Sequence, residues 1–373
     1  MVDDALTQSQ EDFVFLVVPL SDPRSEVRAQ ADFLLNLVER AVKNAKLTVV
    51  RADKISTPGS ITSQIITYLR RARFIIADIS DANPNVMYEL GVAHSFGRPV
   101  VLLAKQGVPI PFDIATARVI SYDLSTLHSA NTFEYALSGA VESLMSVEGK
   151  ASASISPVQV AFDTAGERIG QRLITGGGEV STDERILAIL GDIRERMASI
   201  EGRMADLEGR RSSQIDDGSV STYSRKIFIV HGHDDGLKLE LRNFLSQLDF
   251  EPIILHERAD GGKTIYSKLL GEASDVGFAF ILLTPDDKGG KASSDELMPR
   301  ARQNVVFEHG LFAGYLSPTR VCAIVRGSVE IPSDLNGVVY KRVPDSASLT
   351  SIAFDLVREL REAGYVVDMN KLS

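Results

Sequence analysis

The sequence is poor in cysteine and has no long apolar run. Its single cysteine, Cys322, stands in the apolar stretch VCAIV, which excludes a disulfide within the chain and fits a reducing cytoplasm. A membrane-spanning helix needs about 18 consecutive apolar residues, and no stretch approaches that length. The acidic start MVDDALTQSQEDF lacks the apolar region of a signal peptide. We therefore expect a cytoplasmic protein with no membrane partner.

Positive charge is scarce as well. Lys and Arg number 40 against 50 Asp and Glu, which gives a formal net charge of −10. Nucleic acids and anionic membranes are bound by clustered Lys and Arg, so direct nucleic-acid binding is not expected. The content of 44% apolar and 24% charged residues is typical of a soluble globular protein.

The chain of 373 residues is too long for one ordinary core, and two of its segments alternate apolar runs with stretches of helical period. The apolar runs are 13–20, 46–52, 73–79 and 98–104, then 226–232, 251–257, 277–284 and 320–326. This alternation is typical of a parallel sheet covered by helices. We predict an α/β fold class with two flavodoxin-like or Rossmann-like parallel-sheet domains, at residues 11–147 and 223–373, after a disordered tail at 1–10.

The predicted linker, residues 148–222, ends in a segment with a different pattern. Between residues 183 and 210 the apolar side chains are spaced alternately four and three apart, at Ile186, Leu190, Ile193, Met197, Ile200, Met204 and Leu207. This spacing is typical of a coiled-coil seam. Three glycines weaken the helix, and the alternative is an amphipathic helix packed on one of the domains. We favour self-association, and hence a homo-oligomer.

One pattern occurs twice, 219 positions apart: NVMYELGVA at 85–93 and NVVFEHGLF at 304–312. Each copy follows an apolar strand, and ligands of open α/β sheets bind beyond the carboxyl ends of the strands. Glu89 and Glu308 are therefore each expected to face a crevice, where a carboxylate can bind a ribose hydroxyl or stabilise oxocarbenium-like charge. The alternative is that the pattern marks only helix packing. The small residues that follow are expected to let each helix approach its sheet: Gly91, Ala93, Gly310, Ala313 and Gly314.

The segment from Arg225 onward resembles a known family. It contains, in order, KIFIVHGHD, EPIILHERADGGKTI, GFAFILLTPDD, ARQNVVFEHGLFAGYL and VEIPSDLNGVVY. Together these stretches resemble the TIR-like nucleotide-binding domain of bacterial antiphage effectors. The resemblance implies cleavage of NAD+ between nicotinamide and ribose, with Glu308 as the catalytic residue. NAD+ is then a substrate, and no cofactor is expected.

The same resemblance suggests the residues that contact the substrate, namely His231, Gly232, Asp234, Gly262, Thr264, Arg302 and Asn304. The turn HERADGGKT, 256–264, corresponds to a mobile loop that controls substrate access and domain packing. Arg302 suits a phosphate, although an ordinary exposed arginine is the alternative. The stretch HGHDD holds metal-ligand types, but no matching cluster lies elsewhere, so no metal is expected. Asp286 and Asp287 are expected to cap the segment after them.

The first half resembles the nucleoside 2-deoxyribosyltransferases in the stretch IIADISDANPNVMYELGVAHSFGRPVVLLA. In that family the residue equivalent to Glu89 is the nucleophile on the sugar. The family's other sugar-binding and base-binding residues are not found here. We therefore expect a pocket for a nucleotide-like activating ligand, formed by Ser21, Asp78, Asn85 and Glu89.

Three functions compete on this basis. The first is a TIR-type NAD+ glycohydrolase of antiphage defence, which assembles when a nucleotide-like signal binds the first half. The second is a non-catalytic TIR signalling or scaffold protein. The third is a nucleoside or nucleotide glycosidase that acts through the first half. We favour the first, because a pure scaffold has no need of a carboxylate at Glu308.

Overall fold

The computed structural model describes residues 13–55, 60–110, 119–146, 224–254, 276–289, 297–331, 340–345 and 347–372. By contacts the chain divides into two compact units, Met1–Asp163 with Tyr223–Ser373, and Thr164–Thr222. The predicted tail at 1–10, the coiled-coil helix at 183–210 and the turn at 256–264 lie outside the described residues. The described residues belong to the first unit, which contains both α/β halves.

The first half is a five-stranded parallel sheet with helices on both faces. Its elements are β1 (Phe13–Val17), α1 (Glu26–Val42), β2 (Thr48–Arg51), α2 (Ile61–Arg71), β3 (Phe74–Asp78), α3 (Pro84–Ser95), β4 (Val100–Lys105), β5 (Val119–Tyr122) and α4 (Leu127–Ser146). The strand order is β2-β1-β3-β4-β5, and all neighbours are parallel. This is the doubly wound order of flavodoxin-like sheets.

The second half repeats this arrangement. Its elements are β6 (Lys226–Val230), α5 (Asp235–Gln247), β7 (Glu251–Ile253), β8 (Phe278–Leu283), β9 (Asp287–Gly289), β10 (Met298–Arg300), α6 (Gln303–Leu316), β11 (Val321–Arg326), β12 (Tyr340–Val343) and α7 (Ala353–Glu362). Read from one edge, the parallel sheet runs β7-β6-β8-β11-β12, which is the order of the first half. Strands β9 and β10 form a separate antiparallel pair. The predicted fold class of two flavodoxin-like parallel sheets is confirmed.

Local sequence signals set where the helices begin. The Ser25 hydroxyl accepts a hydrogen bond from the Arg28 amide at 3.1 Å and caps α1. The Asn83 side chain does the same for the amides of Asn85 and Val86, and Pro84 occupies the first position of α3. Capping side chains satisfy amides that a helix start leaves open, and proline fits there because its missing donor is not needed.

The core reflects the alternation of side chains along each strand. In the first half, Val14 and Leu16 pack under α1 and α4, whereas Phe15 and Val17 pack on the opposite face with α2 and α3. In the second half, α5 and α7 cover one face of the sheet in a core of their own. The remaining faces of both sheets share one apolar core, because α3 and α6 pack against each other between them.

Contact between α3 and α6 is close enough for backbone to meet backbone. A Cβ on Gly91 would overlap the Phe307 carbonyl oxygen and lie 2.7 Å from the Leu311 nitrogen. A Cβ on Gly310 would overlap the Tyr88 carbonyl oxygen, and one on Gly314 would overlap the Ser95 hydroxyl. The expectation that these three glycines serve approach to their own sheets was wrong, because their nearest neighbours lie on the other helix.

Candidate functional site

The crevice of the second half lies beyond the carboxyl ends of β6 and β8, and one carboxylate joins the two loops there. Asp286, after β8, accepts hydrogen bonds from the Thr284 hydroxyl at 2.7 Å and from the His233 amide at 3.1 Å. A Cβ on Gly232 would overlap the Asp286 carboxylate, so a larger residue here would have to displace that side chain. Asp286 therefore orders the loop after β6 from across the crevice, instead of capping the segment that follows it.

Asp234 ends the same loop and is the residue before α5. Its Oδ1 accepts from the Leu237 amide at 2.9 Å, as expected for the residue before a helix. Its Oδ2 lies 3.2 Å from the guanidinium of Arg326, at the end of β11. The carboxylate thus has two protein partners, and its predicted contact with the substrate stays a prediction.

Arg302 and His233 meet at the mouth of the crevice. Arg302 is the residue before the first turn of α6, and its guanidinium nitrogen lies 2.7 Å from His233 Nε2. The guanidinium can only donate, so the imidazole nitrogen accepts in this contact. His231, two residues before His233, is half-buried, and its Nδ1 donates to the Gly232 carbonyl oxygen at 2.8 Å. A cation and imidazoles at a helix start are groups suited to a phosphate.

Glu308 lies in the second turn of α6, with Asn304 one turn before it. Residues four apart share a face of a helix, so the two polar side chains lie on the same side of α6. Both are half-buried, and Glu308 stands in the chain between the fully buried Phe307 and His309. Arg302, Asn304 and Glu308 are the members of the predicted site that α6 and the residue before it carry. Gly262 and Thr264 lie outside the described residues.

In the first half the repeated motif lies on α3, the helix equivalent to α6. Glu89 lies in the second turn of α3 with 7% of its surface exposed, and Asn85 lies one turn before it. Ser21 is half-buried in the loop after β1. The glutamate here is more enclosed than Glu308. Helix α3 follows the central strand β3 directly, whereas α6 follows the central strand β8 after the β9–β10 pair.

Asp78, the last residue of β3, is held by partners on the α1 side of the sheet. Its Oδ2 accepts a hydrogen bond from the Tyr122 hydroxyl at 2.9 Å. The Tyr122 hydroxyl oxygen in turn accepts one from the Gln30 side-chain amide at 2.7 Å. Its Oδ1 accepts from the hydroxyl and the amide of Ser80. Burial raises the pKa of Asp78, against the effect of these hydrogen bonds. The structure therefore gives Asp78 partners on the α1 side, whereas Glu89 lies on a helix of the opposite side.

Beside this network is an open groove of about 630 Å³, lined by Gln30, Phe33, Lys105, Tyr122 and Asp123 among others. It combines an aromatic ring, an amide, a cation and a carboxylate. The sequence pattern did not indicate it, because Gln30 and Tyr122 are 92 positions apart.

A cluster of charges after β2 was also not anticipated. The guanidinium of Arg51 is 1% exposed and lies 2.6 Å from Asp53 and 2.5 Å from Asp32. Arg28 contacts the same two carboxylates. Two cations and two anions neutralise one another here, which favours a structural role.

Within the described ranges no group of three His, Cys, Asp or Glu side chains is arranged to hold a metal ion. No helix in those ranges has the length and apolar character needed to cross a membrane.

Comparison with known proteins finds relatives of the second half. Residues 226–345 match the family model of the TIR domain of CAP12/Pycsar effector proteins. The uncharacterised protein YuaY of Escherichia coli (strain K12) is 45% identical over 148 residues, 40% of this chain and 48% of that protein. Protein tirC of Dictyostelium discoideum is 35% identical over 125 residues, 31% of this chain and 62% of that protein.

A third relative carries the family's name. CD-NTase-associated protein 12 of Flavobacterium daejeonense is 33% identical over 93 residues, 24% of this chain and 29% of that protein. The chain thus spans less than two thirds of the length of each of these relatives. Residues 226–345, which contain the doubly wound sheet of the second half, are thus similar to the TIR domain of CAP12/Pycsar effector proteins.

Proposed function

We propose that this chain is an NAD+ glycohydrolase of antiphage defence, which cleaves the bond between nicotinamide and ribose in the cytoplasm. The observation that carries the proposal is Glu308, a half-buried carboxylate on α6 within the segment matched to the TIR family. Asn304 one turn earlier and Arg302 at the helix start supply an amide and a cation on the same element. These are groups that a dinucleotide with ribose hydroxyls and phosphates requires.

The chemistry asked of Glu308 is electrostatic. When the C1′–N bond breaks, nicotinamide leaves with the bonding electrons as a neutral molecule, and positive charge builds on the ribose. A carboxylate near C1′ stabilises that charge, and one near the 2′-hydroxyl orients the sugar. Water then adds to C1′ and loses a proton, so that NAD+ and water give nicotinamide, ADP-ribose and H+. In this proposal Arg302 holds the phosphates and so fixes the ribose beside Glu308.

Activation, in this proposal, begins in the first half. A nucleotide-like ligand binds near Ser21, Asn85 and Glu89, and the helix at 183–210, outside the described residues, holds several chains together as a homo-oligomer. TIR domains that are tethered in this way meet at a raised local concentration. The ligand then needs only to reorient chains that are already associated.

The relative burial of the two glutamates favours the second half as the enzyme over the glycosidase alternative. Glu89 is 7% exposed, whereas Glu308 is half-buried and therefore more accessible to a substrate. A test compares the purified chain with its Glu89→Gln and Glu308→Gln variants, on NAD+ and on 2′-deoxynucleosides. We expect NAD+ cleavage that Glu308→Gln abolishes and no nucleoside cleavage. A folded, assembled parent that cleaves neither substrate would support the scaffold alternative, and nucleoside cleavage lost in Glu89→Gln would support the glycosidase.

A further inference from the structure

The contact between α3 and α6 is reciprocal in a way that the repeated motif explains. The motif repeats with an offset of 219, so Gly91 corresponds to Gly310 and Tyr88 to Phe307. Gly91 faces the Phe307 carbonyl oxygen, and Gly310 faces the Tyr88 carbonyl oxygen. The two contacts are therefore equivalent, because each glycine meets the carbonyl oxygen of the same motif position on the other helix. Such an exchange of contacts is what a twofold axis generates in a homodimer.

One pair of equivalent residues meets directly. Ser95 corresponds to Gly314 under the same offset, and a Cβ on Gly314 would lie 2.9 Å from the Ser95 Cβ. A residue that contacts its own equivalent lies on the rotation axis of an isologous pair. The two halves, with their identical strand orders, are thus related by an approximate twofold axis that passes between Ser95 and Gly314.

We propose that the α6 face formed by Phe307, His309, Gly310 and Gly314 is self-complementary, and that it pairs with α6 of a second copy of this chain when α3 leaves it. In the present structure the first half is then a built-in partner, which occupies the place of a second TIR domain. This inference concerns association alone and does not depend on the proposed NAD+ cleavage.

Each close approach in the α3–α6 pair can be repeated between two α6 helices. Gly310 of one copy meets the Phe307 carbonyl of the other, because Phe307 stands where Tyr88 stands now. Gly314 meets Gly314 with more room than Ser95 leaves. The His309 ring packs edge-on against Tyr88 with centroids 5.3 Å apart, and Phe307 offers the same ring position in the second copy. The edge-on contact of the His94 ring with Phe307 is lost, because Ala313 occupies the position equivalent to His94.

Covalent capture at the axis tests the proposal in the full chain. The natural cysteine does not interfere, because burial raises the pKa of Cys322 to about 12 and its side chain is 1% exposed. In Gly314→Cys the new side chain meets the Ser95 hydroxyl, which weakens the contact with α3 and places a thiol on the axis. On mild oxidation we expect disulfide-linked dimers in a several-fold larger fraction than in Gly139→Cys. That control puts an exposed cysteine on α4, where no neighbouring atom lies within 4 Å.

The double variant Ser95→Cys/Gly314→Cys reports the contact within one chain. Its Cβ atoms start about 1 Å closer than the ~3.8 Å usual for a disulfide, a difference that a small helix shift removes. We expect it to form an intrachain disulfide and few dimers. A fraction of linked dimers in Gly314→Cys no larger than in Gly139→Cys would overturn the proposal.

Should Gly314→Cys fold poorly, alanine variants provide an independent test. Gly91→Ala pushes α3 away from the Phe307 carbonyl and leaves α6 unchanged, so its sedimentation mass should exceed that of the parent. Adding Gly310→Ala blocks pairing of α6 with a second α6 as well, and should return the mass to the parent value. Equal masses for the single and the double variant would contradict a self-complementary α6.

Discussion

Replacing Gly310 by alanine should destabilise the protein, although alanine is the better helix residue. The added Cβ would overlap the Tyr88 carbonyl oxygen and lie 3.1 Å from the Tyr88 Cα. Overpacking a well-packed contact costs about 1–3 kcal/mol, and the upper end applies because backbone atoms cannot rotate aside. The gain in helix propensity is about 1 kcal/mol. The expected net loss in free energy of unfolding is about 2 kcal/mol.

The matched control is Gly139→Ala in α4, which meets open space. It should gain about 0.5–1 kcal/mol, since only the propensity changes. Both values come from urea unfolding followed by circular dichroism. Gly91→Ala should cost about as much as Gly310→Ala, and the double variant less than their sum, because both changes widen the same gap. Stabilisation by Gly310→Ala, comparable to that by Gly139→Ala, would refute the backbone contact between α3 and α6.

Three further predictions concern titration, activation and assembly. Burial lowers the pKa of His94 and of His309 to about 4, so the unfolded chain binds protons that the native chain does not between pH 6.5 and 4. As the pH is lowered from 6.5 to 4, the free energy of unfolding should therefore decrease by up to about 3 kcal/mol per histidine. Urea unfolding of His309→Leu should show a smaller decrease over the same range. Glu89→Gln should lose ligand-stimulated NAD+ cleavage and keep basal turnover at high protein concentration; loss of both in a folded protein would point to a different role for Glu89. Ile193→Glu with Ile200→Glu puts like charges into the coiled-coil seam and should give a smaller species in sedimentation with no stimulated turnover, whereas an unchanged mass would mean that the helix packs on its own chain.

The sheets could be predicted from the sequence because each buried parallel strand is a short apolar run between helical stretches. The runs RFIIADI and GFAFILLT became β3 and β8, with ends shifted by one residue. The placement of each glutamate on the helix after such a strand followed from the same pattern. Local signals suffice for these features, since they concern residues close together in the chain.

What the sequence did not reveal depends on contacts between distant residues. Gly91 and Gly310 were correctly expected to allow a close approach, but a glycine does not say whether a sheet or another helix approaches it. The equal spacing of small residues in both motif copies, at Gly91 and Ser95 and at Gly310 and Gly314, is the signal that could have indicated the pairing. Nothing local connects Asp286 with the His233 amide, 53 positions away.

The most direct test of the proposed enzyme is the rate of nicotinamide release from NAD+ by Glu308→Gln, compared with the parent and with Glu362→Gln at equal assembly. Glu362 is an exposed glutamate at the end of α7, so its variant controls for loss of charge alone. If Glu308 stabilises charge in the transition state, the near-isosteric glutamine should cost about 3 kcal/mol or more, a fall in kcat of about 100-fold or greater. The Glu362 variant should match the parent. A folded Glu308→Gln protein that releases nicotinamide at the parental rate would contradict the account.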